Sequence, residues 1–255
     1  MRYFKGFYMS LGMFCAIPLP VHVWDEKHTS VMMASFPFVG LITGAVWWLA
    51  AVLLTVLDTP LMLTAAVLSV MPFFLYGFIH LDGYMDASDA LMSRRPTEDK
   101  LRILKDPNVG AFAVVMLGVL FILQFSAMHA VIEHGEFLAL LIVISVISRC
   151  CAAFSNFALP HIPQSGYAAL LKQNARTSHK IFVILVAAAT VTASFLYAGV
   201  SGLAVSGIVI LGYFAAIAHA FKGLKGISGD LLGYALVISE LCGLVAFAVI
   251  QGRFT

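Results

Sequence analysis

VGAFAVVMLGVLFILQFSAMHAVI, residues 109–132, carries no Asp, Glu, Lys or Arg in 24 positions. At 1.5 Å per residue a helix of this length crosses the roughly 30 Å hydrocarbon core of a bilayer. The apolar residues are continuous and not alternating, so the run predicts a spanning helix and not a barrel strand. Working outward, similar runs lie at 31–57, 60–81, 137–159, 181–199, 201–220 and 230–250, which makes seven expected spans. Residues 2–17 are apolar around Arg2 and Lys5. They are short for a span and are expected to lie in the interface as an amphipathic helix. Pro37 and Pro72 fall inside runs and predict kinks or local breaks, tolerable where neighbours satisfy the backbone.

Composition agrees with this class. The 255 residues are 61% hydrophobic and 11% charged, with a mean hydropathy of +0.97. A soluble domain is about a quarter charged, and disorder needs low hydrophobicity and high charge, so both are excluded. The expected fold is all-α: a polytopic helical membrane protein forming a single domain over 1–255. Net charge is +2, which provides no electrostatic footprint for nucleic acid. Cys15, Cys150, Cys151 and Cys242 lie in apolar segments without CxxC or Cys/His metal spacing and read as small buried hydrophobes. The N-terminal residues lack an A-x-A-like cleavage site, so no cleavable signal peptide is expected.

Basic residues set the expected orientation. Arg2, Lys5 and Lys27 precede the first span. Arg94, Arg95, Lys100, Arg102 and Lys105 follow the second, Lys172, Arg176 and Lys180 the fourth, and Lys222 and Lys225 the sixth. The connections after spans one, three and five have none. The positive-inside rule then places the N-terminus and the loop 82–108 in the cytoplasm and the C-terminus outside.

The chemistry concentrates in His80-Leu81-Asp82-Gly83-Tyr84-Met85-Asp86-Ala87-Ser88-Asp89. Its aspartates are spaced i, i+4, i+7, which puts Asp82, Asp86 and Asp89 within a narrow arc of one helix face. Like charges so close repel. A hard divalent cation cancels that repulsion, and carboxylate oxygens suit Mg²⁺ or Mn²⁺. The bland alternative is a solvated helix end whose acidic residues favour the N-terminal dipole, an effect that fades within the first turn. Lys105 is a candidate phosphate ligand as a point charge, against a purely topogenic role. Asp106 is a candidate site residue or a turn residue. Arg149 and Glu240 are ionisable groups inside apolar runs, costly there and therefore functional candidates, against structural pairing or an inter-helix hydrogen bond. Asp230 opens the last run as a cap or a further ligand. His80 borders the aspartates as a phosphate contact or a structural histidine.

Beyond these residues the chain resembles the cobalamin synthase (adenosylcobinamide-GDP ribazoletransferase) family. Phe14-Cys15-Ala16-Ile17-Pro18-Leu19-Pro20 and Phe36-Pro37-Phe38-Val39-Gly40-Leu41-Ile42-Thr43-Gly44 are similar to its early motifs. Gly77, His80, Leu81, Asp82, Gly83, Asp86 and Asp89 match a G-x-x-H-L-D-G-x-x-D-x-x-D signature. Leu101, Ile103, Lys105, Asp106 and Gly110 match a following K-D-x-x-x-G stretch, and Ser148-Arg149, Gly229-Asp230, Gly233 and Glu240 match later positions. Val237 stands where some members have a first glutamate. The resemblance implies transfer of the cobinamide phosphoryl arm of adenosylcobinamide-GDP to α-ribazole or its 5′-phosphate, late in the cobalamin nucleotide-loop pathway. GMP leaves, and adenosylcobalamin or its phosphate forms. It implies Mg²⁺ on Asp82, Asp86 and Asp89, with one aspartate able to take the hydroxyl proton. Substrate contacts are then expected from His80, Lys105, Asp106, Arg149, Asp230 and Glu240. The expected setting is the inner membrane of a bacterial or archaeal cell, among lipid, with the site facing the cytoplasm and homo-oligomerisation left open. Two other readings are a CDP-alcohol-phosphotransferase-like enzyme, disfavoured because Asp86-Ala87 replaces that family's Ala-Arg pair, and a cation-coupled transporter using Glu240 and Arg149.

Overall fold

The computed structural model describes residues 2–163, 166–172 and 175–251. Among them it is a helical bundle without a β-strand, built from α1 (Arg2–Phe14), α2 (Thr29–Ala34), α3 (Phe36–Val56), α4 (Leu61–Leu75), α5 (Ile79–Met92), α6 (Thr97–Ile103), α7 (Ala111–His134), α8 (Leu140–Ala158), α9 (Gly166–Lys172), α10 (Thr177–Leu224) and α11 (Gly229–Gln251). Five helices are long and apolar enough to cross a membrane, and the bent pair α4–α5 adds a sixth candidate.

The 48-residue α10 is not one rod. Ala198 and Gly199 leave helical geometry, with Gly199 at φ +57°, ψ −136°, a conformation essentially restricted to glycine. Ser194 Oγ lies 2.8 Å from Ser206 Oγ, whereas twelve residues of straight helix separate two positions by about 18 Å. The chain therefore folds back as a hairpin. The expected runs 181–199 and 201–220 are its two arms, which brings the candidate spans among the described residues to seven when the bent pair α4–α5 is counted as one.

α8 sits at the centre and is buried on almost every side, as a helix packed all round must be. Its neighbour α3 approaches through Gly40 and Gly44. A β-carbon at Gly40 would stand 2.5 Å from the Ser145 carbonyl oxygen, and one at Gly44 2.9 Å from the Ile142 Cα. This is small-xxx-small packing, which replaces the missing hydrophobic drive between helices in lipid.

The run 60–81 needs a correction. It is not one continuous span from which the aspartates project. α4 ends at Leu75, and α5 starts at Ile79 after a bend of 93°. Pro72 begins the departure, because it has no N–H for the Leu68 carbonyl. Trp47 Nε1 donates to that carbonyl instead, at 2.8 Å. Gly77 and Phe78 then take left-handed φ of 59° and 63°, and the Ala16 N–H caps the Leu75 carbonyl at 2.8 Å. Pro37, by contrast, occupies the first turn of α3, where no N–H is needed. The break in the run 31–57 falls just before it, at Ser35.

Candidate active site

α5 buries Gly83, Tyr84, Ala87, Ser88, Ala90 and Leu91 and turns Asp82, Asp86 and Asp89 the other way. It runs antiparallel to the first turns of α11. Gly83 rests on the Asp230 backbone, Gly233 rests on the His80 backbone, and the Tyr84 and Tyr234 rings stack at 5.8 Å. This pairing carries Asp230 to the aspartate face. Asp86 lies within Coulombic reach of Asp82, Asp230 and Asp89.

Three of these carboxylates sit at helix starts, where the partial positive charge of unsatisfied N–H groups offsets their own. Asp82 is in the first turn of α5 and Asp230 in the first turn of α11. The Asp89 carboxylate packs flat against Gly110, the residue that opens α7, in space that any side chain there would fill. Asp86 alone has no such terminus and faces the other three. Among the described residues none of the four forms an ion pair with Lys or Arg. The Ser228 hydroxyl donates to Asp230 at 3.3 Å.

This donor set is chemically that of a hard divalent cation: clustered carboxylate oxygens without a cationic counterpart. Among the described residues no three His, Cys, Asp or Glu side chains converge into a cage that would hold a metal on its own. Mg²⁺ does not ask for one. It keeps several waters and is bound through one or two carboxylates together with substrate phosphates. The residues present therefore fit the ion in charge and donor type.

The other candidates fall in two places. Lys105 is exposed in the turn after α6, on the loop that ends with Gly110 against Asp89. Asp106, on the same loop, accepts from the Asn108 N–H at 2.9 Å and from Asn108 Nδ2 at 2.7 Å. Those two donors hold its carboxyl below the usual carboxylate range. Arg149 and Glu240 meet each other, not the aspartates. The guanidinium Nη1 donates to Glu240 Oε1, to Ser148 Oγ at 3.0 Å and to the Ser145 carbonyl at 2.8 Å. Glu240 is ten residues beyond Asp230 on α11, about 15 Å along the helix. His80 is buried between these groups, ringed by Phe14, Phe36 and Tyr76, with no partner for Nε2 among the described residues. Sequence reasoning missed Tyr76, whose ring lies under the Arg149 guanidinium at 4.2 Å. An aromatic at the end of an apolar run reads as an interfacial belt residue.

Comparison with known proteins bears on this geometry. A family model described as Cobalamin-5-phosphate synthase matches residues 6–248. A protein of Clostridium botulinum (strain Alaska E43 / Type E3) named adenosylcobinamide-GDP ribazoletransferase is 37% identical over 94% of this chain and 96% of its own. One of the same name from Clostridium perfringens (strain ATCC 13124) is 36% identical over 97% of this chain and 99% of its own. Another, from Stutzerimonas stutzeri (strain A1501), is 32% identical over 86% of each. No solved structure matches.

Proposed function

The chain belongs to the cobalamin-5-phosphate synthase family, and from that premise we propose that it acts as an adenosylcobinamide-GDP ribazoletransferase. It joins adenosylcobinamide-GDP to α-ribazole or α-ribazole 5′-phosphate, giving adenosylcobalamin or its phosphate and GMP. The observation that carries the reading is the group of four carboxylates, Asp82, Asp86, Asp89 and Asp230, gathered without a cationic partner where α5, α7 and α11 begin or meet.

In the reaction, the ribose hydroxyl oxygen bonds to the phosphorus that carries the cobinamide arm. The phosphoanhydride bond to GMP breaks, and the hydroxyl proton leaves. We assign the carboxylates of Asp82, Asp86 and Asp230 to Mg²⁺, one or two of them binding the ion directly and the rest through the waters it keeps. When bound, the ion supplies neutralisation of the diphosphate charge that grows on the leaving side. Asp89, half-buried against Gly110 and within Coulombic reach of Asp86, takes the proton as a carboxylate base. Lys105 meets the diphosphate as a point charge from the exposed loop. The basic loops support a cytoplasmic site in the cell membrane of a bacterium or archaeon. Incubation of the purified protein with Mg²⁺, adenosylcobinamide-GDP and α-ribazole should release GMP only when both substrates are present. GMP release from adenosylcobinamide-GDP alone at the same rate would refute the transferase reading.

A further inference from the structure

Arg149 is 0% exposed and touches three parts of the bundle at once. From α8 it pairs with Glu240 on α11. Its guanidinium also lies over the Tyr76 ring at 4.2 Å and the Phe36 ring at 5.7 Å. Among the described residues Nε and Nη2 have no hydrogen-bond acceptor, so the aromatic faces carry that side of the charge. Tyr76 caps the end of α4, and its hydroxyl lies 3.4 Å from Ser145 Oγ. The next two residues are the left-handed Gly77 and Phe78 that launch α5. Phe78 adopts this backbone although its β-carbon disfavours it, so something must hold the elbow in place.

Arg149 thus joins α11 to the end of α4, from which the elbow leads into α5. The elbow aims α5 with Asp82, Asp86 and Asp89, and α11 carries Asp230. We propose that Arg149, Glu240 and Tyr76 are positioning residues of the transferase site: the guanidinium clamps the α4–α5 elbow to α11 and thereby sets the spacing between the aspartates of α5 and Asp230. The clamp follows from geometry alone, while its consequence for catalysis rests on the reading of those carboxylates as the metal site. Direct substrate contact by Arg149 fits less well. The side chain is fully buried, its Nη1 is engaged three times, and Glu240 stands about 15 Å along α11 from Asp230.

The test uses the full chain in detergent with Cys242→Ser. Spin labels are placed at Ser93→Cys, at the end of α5, and at Gly229→Cys, at the start of α11, where a side chain meets open space. Electron double resonance then reads the distance between labels, and Mn²⁺ titration followed by electron paramagnetic resonance reads metal binding in unlabelled protein. The parent should show one narrow distance. Tyr76→Leu and Arg149→Met should broaden it, weaken Mn²⁺ binding about tenfold, as loss of a group supporting metal ligands does, and lower kcat while KM for adenosylcobinamide-GDP holds. Tyr76→Phe keeps the ring and should match the parent. Distances left narrow by both Tyr76→Leu and Arg149→Met overturn the proposal, as does a rise in KM alone. If Arg149→Met does not fold, Tyr76→Leu against Tyr76→Phe decides by the same readouts. Broadened distances in a protein that binds no Mn²⁺ even as the parent would uphold the clamp and defeat the metal reading of the carboxylates.

Discussion

Gly83 and Asp230 touch backbone to backbone: a β-carbon at position 83 would stand 2.7 Å from the Asp230 Cα and 2.9 Å from its carbonyl oxygen. Neither atom belongs to a side chain that could swing aside, so the helices themselves would have to part. Gly83→Ala should therefore push α5 from α11 and separate Asp86 from Asp230. Overpacking of this kind costs about 1–3 kcal/mol, and GMP release should fall by more than the stability loss accounts for. Gly118→Ala, on α7 with open space around it, is the control. Equal activity of the two variants would mean that the close approach is irrelevant to the site.

Asp82→Asn or Asp86→Asn should abolish turnover while the helical content and detergent elution profile stay unchanged. Each removes a charge proposed to hold the divalent ion, whose stabilisation of a phosphoryl-transfer transition state is worth several kcal/mol, so the loss should exceed about tenfold by a wide margin. Asp99→Asn breaks only the surface pair with Arg102, 2.7 Å long and largely solvated, and should be nearly silent. GMP assays across a Mg²⁺ series settle it. Near-normal rates in Asp82→Asn or Asp86→Asn at sub-saturating Mg²⁺ would remove the aspartates from the metal site.

Ser194→Cys with Ser206→Cys should form a disulfide on mild oxidation. The hydroxyl oxygens are 2.8 Å apart across the α10 hairpin, whereas on a straight helix the same positions lie about 18 Å apart. The shift of a single band on non-reducing gels, reversed by thiol, reads the bond. Free thiols at both positions after oxidation would argue for an unbroken α10.

Spans such as 109–132 and 137–159 were legible because length and continuous hydrophobicity are the signals a bilayer demands. The two arms of α10 were legible because the apolar stretch 181–220 is about twice the length one span needs. Pro72 signalled a break in the run 60–81, but not its 93° sharpness or its seat at Tyr76–Gly77–Phe78, because hydropathy is blind to a sign change in φ. Asp82, Asp86 and Asp89 share a face by local spacing, which sequence shows directly. That Asp230 joins them depends on the antiparallel seating of Gly83 and Gly233, a property of two distant segments. Arg149 and Glu240 were each marked by the cost of charge in an apolar run. Their pairing, across 91 positions, and the part taken by Tyr76 could come only from packing.

Acid should loosen the start of the chain late. Asp25 accepts from Lys5 Nζ at 2.6 Å, from the Lys27 N–H at 3.0 Å, and faces His28 Nδ1 at 3.0 Å. The Lys5 ammonium, first among these, and the backbone donor hold the carboxyl down to about 2. A depressed carboxyl pKa contributes stability that is complete above the ordinary value of about 3.9 and is lost as pH falls through the folded value. The link between α1 and the 25–28 turn should thus persist at pH about 3. Carboxyl ¹³C shifts of Asp25 should titrate near 2 in the parent and move up in Lys5→Met. An unshifted midpoint in Lys5→Met would show that the lysine does not set it.

Orientation can be read with cysteines on opposite faces. The basic residues crowd the connections before α3, between α5 and α7, around α9 and after α10, and the alternate connections carry none. Glu98 is exposed at the start of α6, within the basic stretch, and Asp58 is exposed in the turn after α3, within a stretch free of Lys and Arg. Retention of positive loops on the inner side predicts that Glu98→Cys is shielded from a membrane-impermeant maleimide in intact cells and labelled once they are opened. Asp58→Cys should label in both. The same arrangement puts the loop of Lys105, and with it the aspartate face next to Gly110, on the side where nucleotide-activated substrates are made. Labelling of Glu98→Cys in intact cells, with Asp58→Cys protected, would invert the protein and move the carboxylates away from any cytoplasmic GDP-linked substrate.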